Sequence, residues 1–225
     1  MLIISSTNRS NARDSHIADY YTTPISDVEL FLKEFDKRIK LNWNKIKIVD
    51  CCAGGNHEIR DEYGIKEIYH PMSYQAAIHN VFGNCNVNNI DIREDSLAEV
   101  KGDYLEKDVK IFAPQVIITN PPFFSAVPII EKALNDVAES GYVIMLLRLN
   151  FFGSKERWTF FDKYMPEWCF VHHVRIGFTD KKDENGYVVF DKHGNAKRGS
   201  TDSIEYMHAV WRKGYKPDYT KLVVI

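Results

Sequence analysis

The stretch VIITNPPFF, Val116–Phe124, fixes the end of a buried strand. Its first four residues are apolar or β-branched, as in a strand that is covered on both faces. Pro121 and Pro122 cannot continue a central strand, because proline has no backbone N–H for the ladder. The strand is therefore expected to end near Asn120, before a turn with an amide side chain, two prolines and two phenylalanines. A rigid turn of this composition is typical of a binding site more than of a connector.

Strands alternate with helices on both sides of this stretch. The predicted strands are Ile46–Cys51, Val87–Ile92, Pro114–Asn120, Tyr142–Leu149, Cys169–Ile176 and Ser203–Arg212, and the predicted helices are Ile25–Ile39, Ala126–Glu139 and Ser154–Met165. Alternation of this kind predicts an α/β fold with a mostly parallel sheet. The last two strands are joined by residues 177–202, which have no helical pattern, so we expect these strands to pair antiparallel.

The composition is that of a single soluble domain. The 225 residues are 44% hydrophobic and 27% charged, with a net charge of −2. No apolar run approaches the roughly 20 residues that cross a bilayer, and the N-terminal residues have no signal-peptide core. We therefore expect a cytoplasmic protein with no membrane partner. The four cysteines match neither a zinc-ligand spacing nor a disulfide framework.

Positive charge is slightly concentrated toward the end of the chain. Residues 151–225 contain 13 Lys and Arg against 10 Asp and Glu, an excess of three positive charges. A basic face of this kind is able to contact nucleic-acid phosphates. A solvated surface explains the same excess, so the charge permits a nucleic-acid partner without demonstrating one.

Carboxylates and glycines follow the predicted strands. Asp50 ends the first strand and precedes a glycine turn at residues 53–55, Asp91 ends the second strand, and Asp103 lies in a later loop. Ligands of open α/β sheets bind beyond the carboxyl ends of the strands. Glycines let the backbone approach a ligand closely, and carboxylates accept hydrogen bonds from ammonium or hydroxyl groups. Taken singly, each of these features is equally well explained as a tight turn or a structural aspartate.

In combination, these segments resemble the motifs of DNA amino-methyltransferases. TNPPFF (119–124) resembles motif IV in the Asn-Pro-Pro-Phe form that is associated with adenine modification. VDCCAGGN (49–56), IDIRED (90–95), KGDYL (101–105) and YYTTPISDVELFL (20–32) resemble motifs I, II, III and X. LLRLNFFGSKERW (146–158) and GSTDSIEYMHAVWRKG (199–214) resemble segments of compact, phage-type adenine methyltransferases. The resemblance covers roughly Tyr20 to Gly214.

This resemblance implies a fold and a domain organisation. The implied fold is the Rossmann-like fold of S-adenosylmethionine-dependent methyltransferases. It has a mostly parallel seven-stranded sheet with an antiparallel last strand, and helices on both faces. The expected organisation is one domain at 20–216, between tails at 1–19 and 217–225, with loop insertions at about 57–80 and 178–202.

The resemblance also implies S-adenosyl-L-methionine as the cofactor. Its amino-acid end is expected near Asp50 and the Thr23-Pro24 segment, its ribose near Asp91 and its adenine near Asp103. The residues expected to bind the cofactor are Tyr21, Thr23, Pro24, Asp50, Ala53, Gly54, Gly55, Asp91, Ile92, Asp103 and Tyr104.

Asn120, Pro121, Pro122 and Phe123 are the catalytic residues that the resemblance implies. The target adenine must leave the DNA helix to be reached, and Phe123 is expected to stack on the flipped base. The side-chain oxygen of Asn120 and the carbonyl oxygen of Pro121 are expected to accept hydrogen bonds from its exocyclic amine. The methyl group then passes directly to the amine, with no covalent enzyme intermediate.

Neither a thiol nucleophile nor a metal ion is expected. Direct transfer to an amine needs no thiolate, so Cys51 and Cys52 are interpreted as packing residues beside the cofactor loop. His172 and His173 are neighbours on a predicted strand, where successive side chains point to opposite faces, so they cannot chelate one ion together. One of them is interpreted as a core or surface histidine.

The identity of the substrate is open to alternatives. The residues expected to contact DNA are Phe123, Asn150, Lys181, Lys182 and Arg198. For the three basic residues, a solvated loop is the alternative interpretation. Because an Asn-Pro-Pro-aromatic turn holds any planar amine, RNA bases or a protein glutamine amide are alternative substrates. A catalytically silent nucleic-acid-binding relative is a further alternative, and the sequence does not indicate an oligomeric state.

Overall fold

In the part of the chain that the computed structural model describes, eight strands form one sheet and two short strands form a separate hairpin. This part comprises residues 21–59, 67–178, 180–181, 183–184, 189–190, 192, 197–199, 201 and 203–225. The strands are β1 Lys47–Asp50, β2 Asn56–Ile59, β3 Glu67–His70, β4 Asn86–Asp91, β5 Val100–Lys101, β6 Val116–Thr119, β7 Tyr142–Arg148, β8 Trp168–Val171, β9 Tyr206–Arg212 and β10 Lys221–Val224. The helices are α1 Ile25–Arg38, α2 Ser73–Phe82, α3 Ala126–Asp136 and α4 Trp158–Lys163.

The strand order of the sheet is β10-β8-β9-β7-β6-β1-β4-β5. β9 runs antiparallel to both of its neighbours, β7 and β8, and the other paired strands are parallel. The predicted α/β fold with a mostly parallel sheet is therefore confirmed, as is the antiparallel pairing of the last two predicted strands. β6 ends at Thr119, directly before the Asn-Pro-Pro turn that cannot continue a ladder.

The sheet differs from the predicted one at its outer edge. It has eight strands among the described residues, where seven were expected, because β10 pairs parallel with β8. β10 lies in the segment 217–225, which the sequence suggested to be a tail. Leu222 and Val224 are exposed while their neighbours on the strand are partly buried, which is the pattern of a short edge strand. A second difference is α2, which begins inside the expected loop insertion at about 57–80.

Both faces of the sheet are covered by helices. Val143, Met145 and Leu147 of β7 belong to the core that α3 and α4 complete. Ile144 of the same strand belongs to the core that α1 and α2 complete. Successive side chains of a strand point to opposite faces, so an apolar run such as β7 is buried on both sides.

The parallel strands bring their carboxyl ends to one edge of the sheet. β1 ends at Asp50, β4 at Asp91, β6 at Thr119 and β7 at Arg148. β1 and β6 are direct neighbours, with Val49 opposite Ile117, so the ends of these two strands are adjacent. The edge where ligands bind in open α/β sheets is thus formed by the segments that the sequence singled out.

Candidate active site

A cavity of about 740 Å³ lies at the carboxyl ends of β1, β4 and β6. Cavities in this range hold cofactor-sized ligands. The predicted site residues that line it are Tyr21, Thr23, Ala53, Gly55, Asp91, Ile92, Asp103, Tyr104, Asn120 and Pro122. Pro24, Asp50, Gly54 and Pro121 are chain neighbours of lining residues without being among them. The fold therefore gathers segments that are distant in the sequence around one cavity.

The turn after β1 depends on glycine. Gly54 and Gly55 have φ angles of 63° and 73°, which residues with a side chain rarely adopt. A Cβ atom on Gly55 would lie 3.0 Å from Cγ of Met72. The Asp91 carboxylate holds the turn from the neighbouring strand, because its Oδ2 accepts a hydrogen bond from Gly54 N–H at 2.7 Å and its Oδ1 accepts one from Arg93 N–H at 2.8 Å. Asp91 thus shapes the turn in addition to lining the cavity.

Asp50 is a fully buried carboxylate at the end of β1. Its Oδ1 accepts hydrogen bonds from the Thr119 hydroxyl at 2.6 Å and from Cys52 N–H at 3.4 Å. Its Oδ2 is shielded from solvent and has no hydrogen-bond partner among the described residues. Burial raises the pKa of Asp50 to about 7, although the hydrogen bonds from Thr119 and Cys52 act to lower it. A cation that reaches Oδ2 would stabilise the ionised form.

Asn120 lines the cavity and has one acceptor without a partner in the described part of the chain. Its Nδ2 donates a hydrogen bond to the hydroxyl oxygen of Thr23 at 3.1 Å, which fixes the amide. Its Oδ1 is shielded from solvent, and no residue in the described ranges donates a hydrogen bond to it. Because Asn120 lines the cavity, a donor on a ligand there would satisfy this oxygen.

The two phenylalanines of the turn lie in different surroundings. Residues Phe123–Ser125 form one turn of 3₁₀ helix. Phe124 lines the cavity and is 81% exposed. Phe123, the predicted base-stacking residue, is outside the described cavity lining and packs with its ring centroid 6.0 Å from that of Tyr206. Sequence analysis missed Phe124, because the motif does not show which ring of the turn faces the cavity.

Asp103 and Tyr104 use their polar atoms within the protein. Asp103 Oδ1 accepts a hydrogen bond from Leu105 N–H at 2.9 Å and so caps the 3₁₀ turn Tyr104–Glu106. The Tyr104 hydroxyl donates to Asp136 Oδ2 at 3.1 Å. Burial raises the pKa of Tyr104, so the hydroxyl stays protonated. Both residues line the cavity, and the hydroxyl of Tyr104 and Oδ1 of Asp103 are engaged within the protein.

The predicted DNA-contacting residues lie outside the described cavity lining. Asn150 is exposed in the 3₁₀ turn that follows β7. Lys181 and Arg198 are exposed, and Arg198 forms an ion pair with Asp180 at 3.4 Å. An antiparallel bridge joins Asp180 to Arg198, as a small hairpin in this segment would require. Lys182 falls outside the described residues.

Thr119 is a site residue that sequence analysis missed. Its hydroxyl donates to Asp50 and accepts a hydrogen bond from Cys52 N–H at 3.1 Å, so it joins the end of β6 to the end of β1. Its side chain is fully buried. The available signal was a hydroxyl directly before Asn120, but the contact depends on the pairing of two strands that are separated by 65 residues of chain. The sequence alone does not give that pairing.

Tyr74 is a second lining residue, which lies in α2 within the segment at about 57–80 that the sequence assigned to a loop insertion. Its hydroxyl lies 3.0 Å from Nε2 of His208, and Nδ1 of His208 lies 2.9 Å from Nε2 of His172. Burial lowers the pKa of His172 to about 4 and lowers the pKa of His208 well below its usual value, so both rings are neutral. His172 is therefore a core histidine, whereas His173 is exposed.

No group of three or more His, Cys, Asp or Glu side chains in the described ranges is arranged to hold a metal ion. Among the described helices, none has both the length and the apolar character for crossing a bilayer.

Comparisons with known proteins identify the fold. The sequence matches no protein-family model and no curated protein. A protein from Listeria monocytogenes, provisionally assigned to the class I S-adenosylmethionine-dependent methyltransferases, superposes with a TM-score of 0.59 at 13% identity. The match covers 95% of this chain and 68% of the Listeria protein. The type IIG restriction endonuclease BpuSI superposes with a TM-score of 0.56 at 12% identity, over 94% of this chain and 27% of that enzyme.

The chain therefore has the Rossmann-like fold of class I S-adenosylmethionine-dependent methyltransferases. The strand order and the single antiparallel strand β9 are features of the sheet itself, and they do not depend on sequence identity. At 12–13% identity the likeness concerns the fold alone.

Proposed function

We propose that this protein is an S-adenosylmethionine-dependent methyltransferase that methylates the exocyclic N6 amine of adenine in DNA. The observation that carries the proposal is the Asn120 amide. Its nitrogen is engaged by Thr23, while its buried Oδ1 remains an unsatisfied acceptor at the wall of the cavity. A planar amine that enters the cavity supplies the donor that Oδ1 lacks.

The residues around the cavity fit the proposed cofactor. The unpartnered Oδ2 of Asp50 suits the ammonium group at its amino-acid end. Gly55 of the glycine turn lines the cavity, where a backbone without a side chain can contact a ligand closely. Asp91 lies at the end of the adjacent strand, where carboxylates contact ribose hydroxyls in related folds. When bound, S-adenosylmethionine supplies an electrophilic methyl group on a sulfonium sulfur.

In this proposal Asn120 and Pro121 act on the amine of the target base. Asn120 Oδ1 and the carbonyl oxygen of Pro121 each accept one N–H, which turns the nitrogen lone pair toward the methyl carbon. The same two acceptors disperse the positive charge that develops on the nitrogen. The products are the methylated amine, S-adenosylhomocysteine and one proton. Positioning supplies most of the rate enhancement.

Burial of Cys51, one of the two cysteines at the cavity, favours an amine over a ring carbon as the acceptor. Methylation of a cytosine ring carbon requires a reactive thiolate. Burial raises the pKa of Cys51 well above its usual value and raises that of Cys169 to about 12, so both thiols stay protonated. Such thiols are poor nucleophiles. Direct transfer to an exocyclic amine needs none.

Two features favour a nucleic acid as the substrate, and the first of them favours DNA. One is the structural likeness to a type IIG restriction endonuclease over 94% of this chain. The other is the exposed ring of Phe124 at the cavity, which is available to stack on a base that has left the helix. Base–aromatic stacking is worth roughly 1–3 kcal/mol, comparable with the few kcal/mol that unstacking the base costs.

The proposal is tested by following a labelled methyl group. Purified protein is incubated with S-adenosylmethionine labelled in its methyl group and with DNA, RNA or a glutamine-containing peptide, each in a separate reaction. We expect label in DNA, recovered as N6-methyladenine after digestion to nucleosides. DNA in which purine replaces adenine lacks the amine and is the matched control. Label in RNA or peptide only, or no transfer to any acceptor, would contradict the proposed function.

A further inference from the structure

Arg148 lies beside the Asn-Pro-Pro turn, outside the residues predicted to bind DNA. Arg148 is the last residue of β7. Met145 of β7 pairs with Thr119, the last residue of β6, so β7 continues for three residues beyond the end of β6. The guanidinium carbon of Arg148 lies 4.4 Å from the centroid of the Phe123 ring. Arg148 is also the strand partner of Tyr206, whose ring contacts Phe123. Arg148 thus extends from β7, the strand next to β6, and its guanidinium contacts the Phe123 ring of the Asn-Pro-Pro-Phe turn.

This arginine has no anionic partner in the described part of the chain. Arg38, Arg175 and Arg212 each form an ion pair with a glutamate. None of the ion pairs or hydrogen bonds between described residues involves the Arg148 side chain, and its Nε is shielded from solvent without an acceptor. A partly buried cation whose donors are unsatisfied is costly unless a ligand completes the site.

The geometry suits an oxyanion. The Phe123 ring attracts a guanidinium through its face, and the N–H donors of a guanidinium lie in its own plane. Those donors therefore stay available for an anion while the ring holds the group. A planar fork of this kind binds phosphate oxygens in pairs, which a lysine cannot reproduce.

Two anions could reach Arg148, the carboxylate of the cofactor and a backbone phosphate of the nucleic acid. The location of Arg148 favours the phosphate. The cofactor carboxylate belongs with the residues that line the cavity, and Arg148 and Phe123 are not among the described lining residues. Both lie instead at an apolar cluster beside the cavity, with Leu146 and Tyr206. A nucleic acid that delivers a flipped base past Asn120 carries its backbone along the rim of the cavity.

We propose that Arg148 binds a backbone phosphate of the nucleic-acid substrate next to the target adenine, with Phe123 as its platform. The inference rests on the proposed function and extends it by naming a phosphate contact. It also gives Phe123 a role different from the predicted one: its ring orients the arginine, and Phe124 remains the ring that is exposed at the cavity.

The test compares Arg148→Gln with Arg212→Gln. Arg212 lies at the opposite end of the same β7–β9 ladder, about 20 Å away by the rise of six residues, and its guanidinium lies 4.2 Å from the Tyr215 ring. Oligonucleotide binding is measured over a range of salt concentrations. We expect Arg148→Gln to lower the slope of log affinity against log salt by about 1 and to raise the KM for DNA about tenfold. We expect Arg212→Gln to change neither.

Three further measurements separate the possible outcomes. Binding of S-adenosylmethionine by calorimetry should be the same in Arg148→Gln and the wild type; weakened cofactor binding with an unchanged salt slope would show a carboxylate contact and overturn the proposal. Arg148→Lys should restore the salt slope, because lysine restores the positive charge. The KM should stay raised, because lysine lacks the paired N–H donors of the guanidinium. Circular dichroism checks that each variant is folded.

The outcomes for the wild type distinguish the two proposals. Wild-type protein that binds DNA with an Arg148-dependent salt slope, yet methylates no adenine, would contradict the proposed function and support the phosphate contact. Wild-type protein that methylates adenine with a salt slope unaffected by Arg148→Gln would support the function and overturn the contact.

Discussion

Asp50 and Asn120 follow neighbouring parallel strands, and each has one buried side-chain oxygen without a partner in the described part of the chain. Their other side-chain hydrogen bonds are made within the protein, to Thr119 and Cys52 for Asp50 and to Thr23 for Asn120. An unsatisfied buried acceptor costs about 1–3 kcal/mol, which a ligand donor would recover. At the scale of single residues, the candidate site therefore contains two acceptors that cost stability and that a ligand donor would satisfy.

Asp50→Asn should separate stability from cofactor binding. Burial raises the pKa of Asp50 from 3.8 to about 7, so the folded protein retains a proton that the unfolded chain releases across this window. Ionisation of Asp50 thus lowers stability progressively as the pH rises from 3.8 to about 7, and the full penalty applies above 7. The variant should have a Tm about 5 °C higher than the wild type at pH 8 and little changed near pH 4.

The same variant should bind S-adenosylmethionine about 10- to 100-fold more weakly at pH 8, because the amide carries no charge for the ammonium group. Asp162→Asn, at a side chain that is 80% exposed on α4, is the control for both measurements. A variant that binds the cofactor as tightly as the wild type would remove Asp50 from the proposed site.

Thr119→Val should weaken cofactor binding through Asp50. The Thr119 hydroxyl lowers the pKa of Asp50, so its removal raises that pKa above about 7 and leaves more of the carboxyl protonated at neutral pH. We expect the Kd for S-adenosylmethionine to rise at pH 7 and to approach the wild-type value at pH 9. Calorimetric titration at a series of pH values checks this, with Thr119→Ser as the conservative control. A pH profile identical to that of the wild type would mean that Thr119 does not position Asp50.

At the scale of elements, two turns place the candidate site residues at the carboxyl edge of the sheet. The Asn-Pro-Pro stop after β6 was readable from the sequence, because proline cannot donate to a ladder. The glycine turn after β1 was readable too, although its attachment to Asp91 was not, since that contact joins strands whose pairing only the fold sets. The edge strand β10 was missed because it has only four residues, and a run this short at the end of the sequence was interpreted as a tail.

Gly55→Ala should impair the cofactor site more than it impairs the fold. Alanine at φ 73° is strained by roughly 1 kcal/mol, and its Cβ would also meet Met72 and Leu97 at 3.0 and 3.1 Å. Gly83→Ala is the matched control, because φ at Gly83 is 85° and no atom lies within 4 Å of the added Cβ. Both variants should lose stability in thermal unfolding, by amounts that are measured for each because only the Cβ at Gly55 meets other atoms, whereas only Gly55→Ala should lose affinity for S-adenosylmethionine. Equal affinity in the two variants would contradict the assignment of this turn to the cofactor.

At the scale of the whole molecule, the sheet is buried on both faces and its carboxyl edge collects the polar and aromatic groups. Alternating strands and helices were enough to predict this fold class and the edge of the sheet at which the cavity lies. The sequence did not predict that Phe124 lines the cavity while Phe123 does not, or that Arg148 contacts Phe123. Both depend on how a 3₁₀ turn lies against a strand that is distant in the sequence.

The proposed role of Asn120 as the acceptor for the target amine is tested by the rate of methyl transfer in a single turnover of Asn120→Ala. Enzyme saturated with S-adenosylmethionine is mixed with an adenine-containing oligonucleotide, and N6-methyladenine is measured over time. We expect a rate about 10²–10³-fold below that of the wild type, with an unchanged Kd for the cofactor, because the acceptor for the amine is lost. A variant that methylates adenine as fast as the wild type would contradict this role.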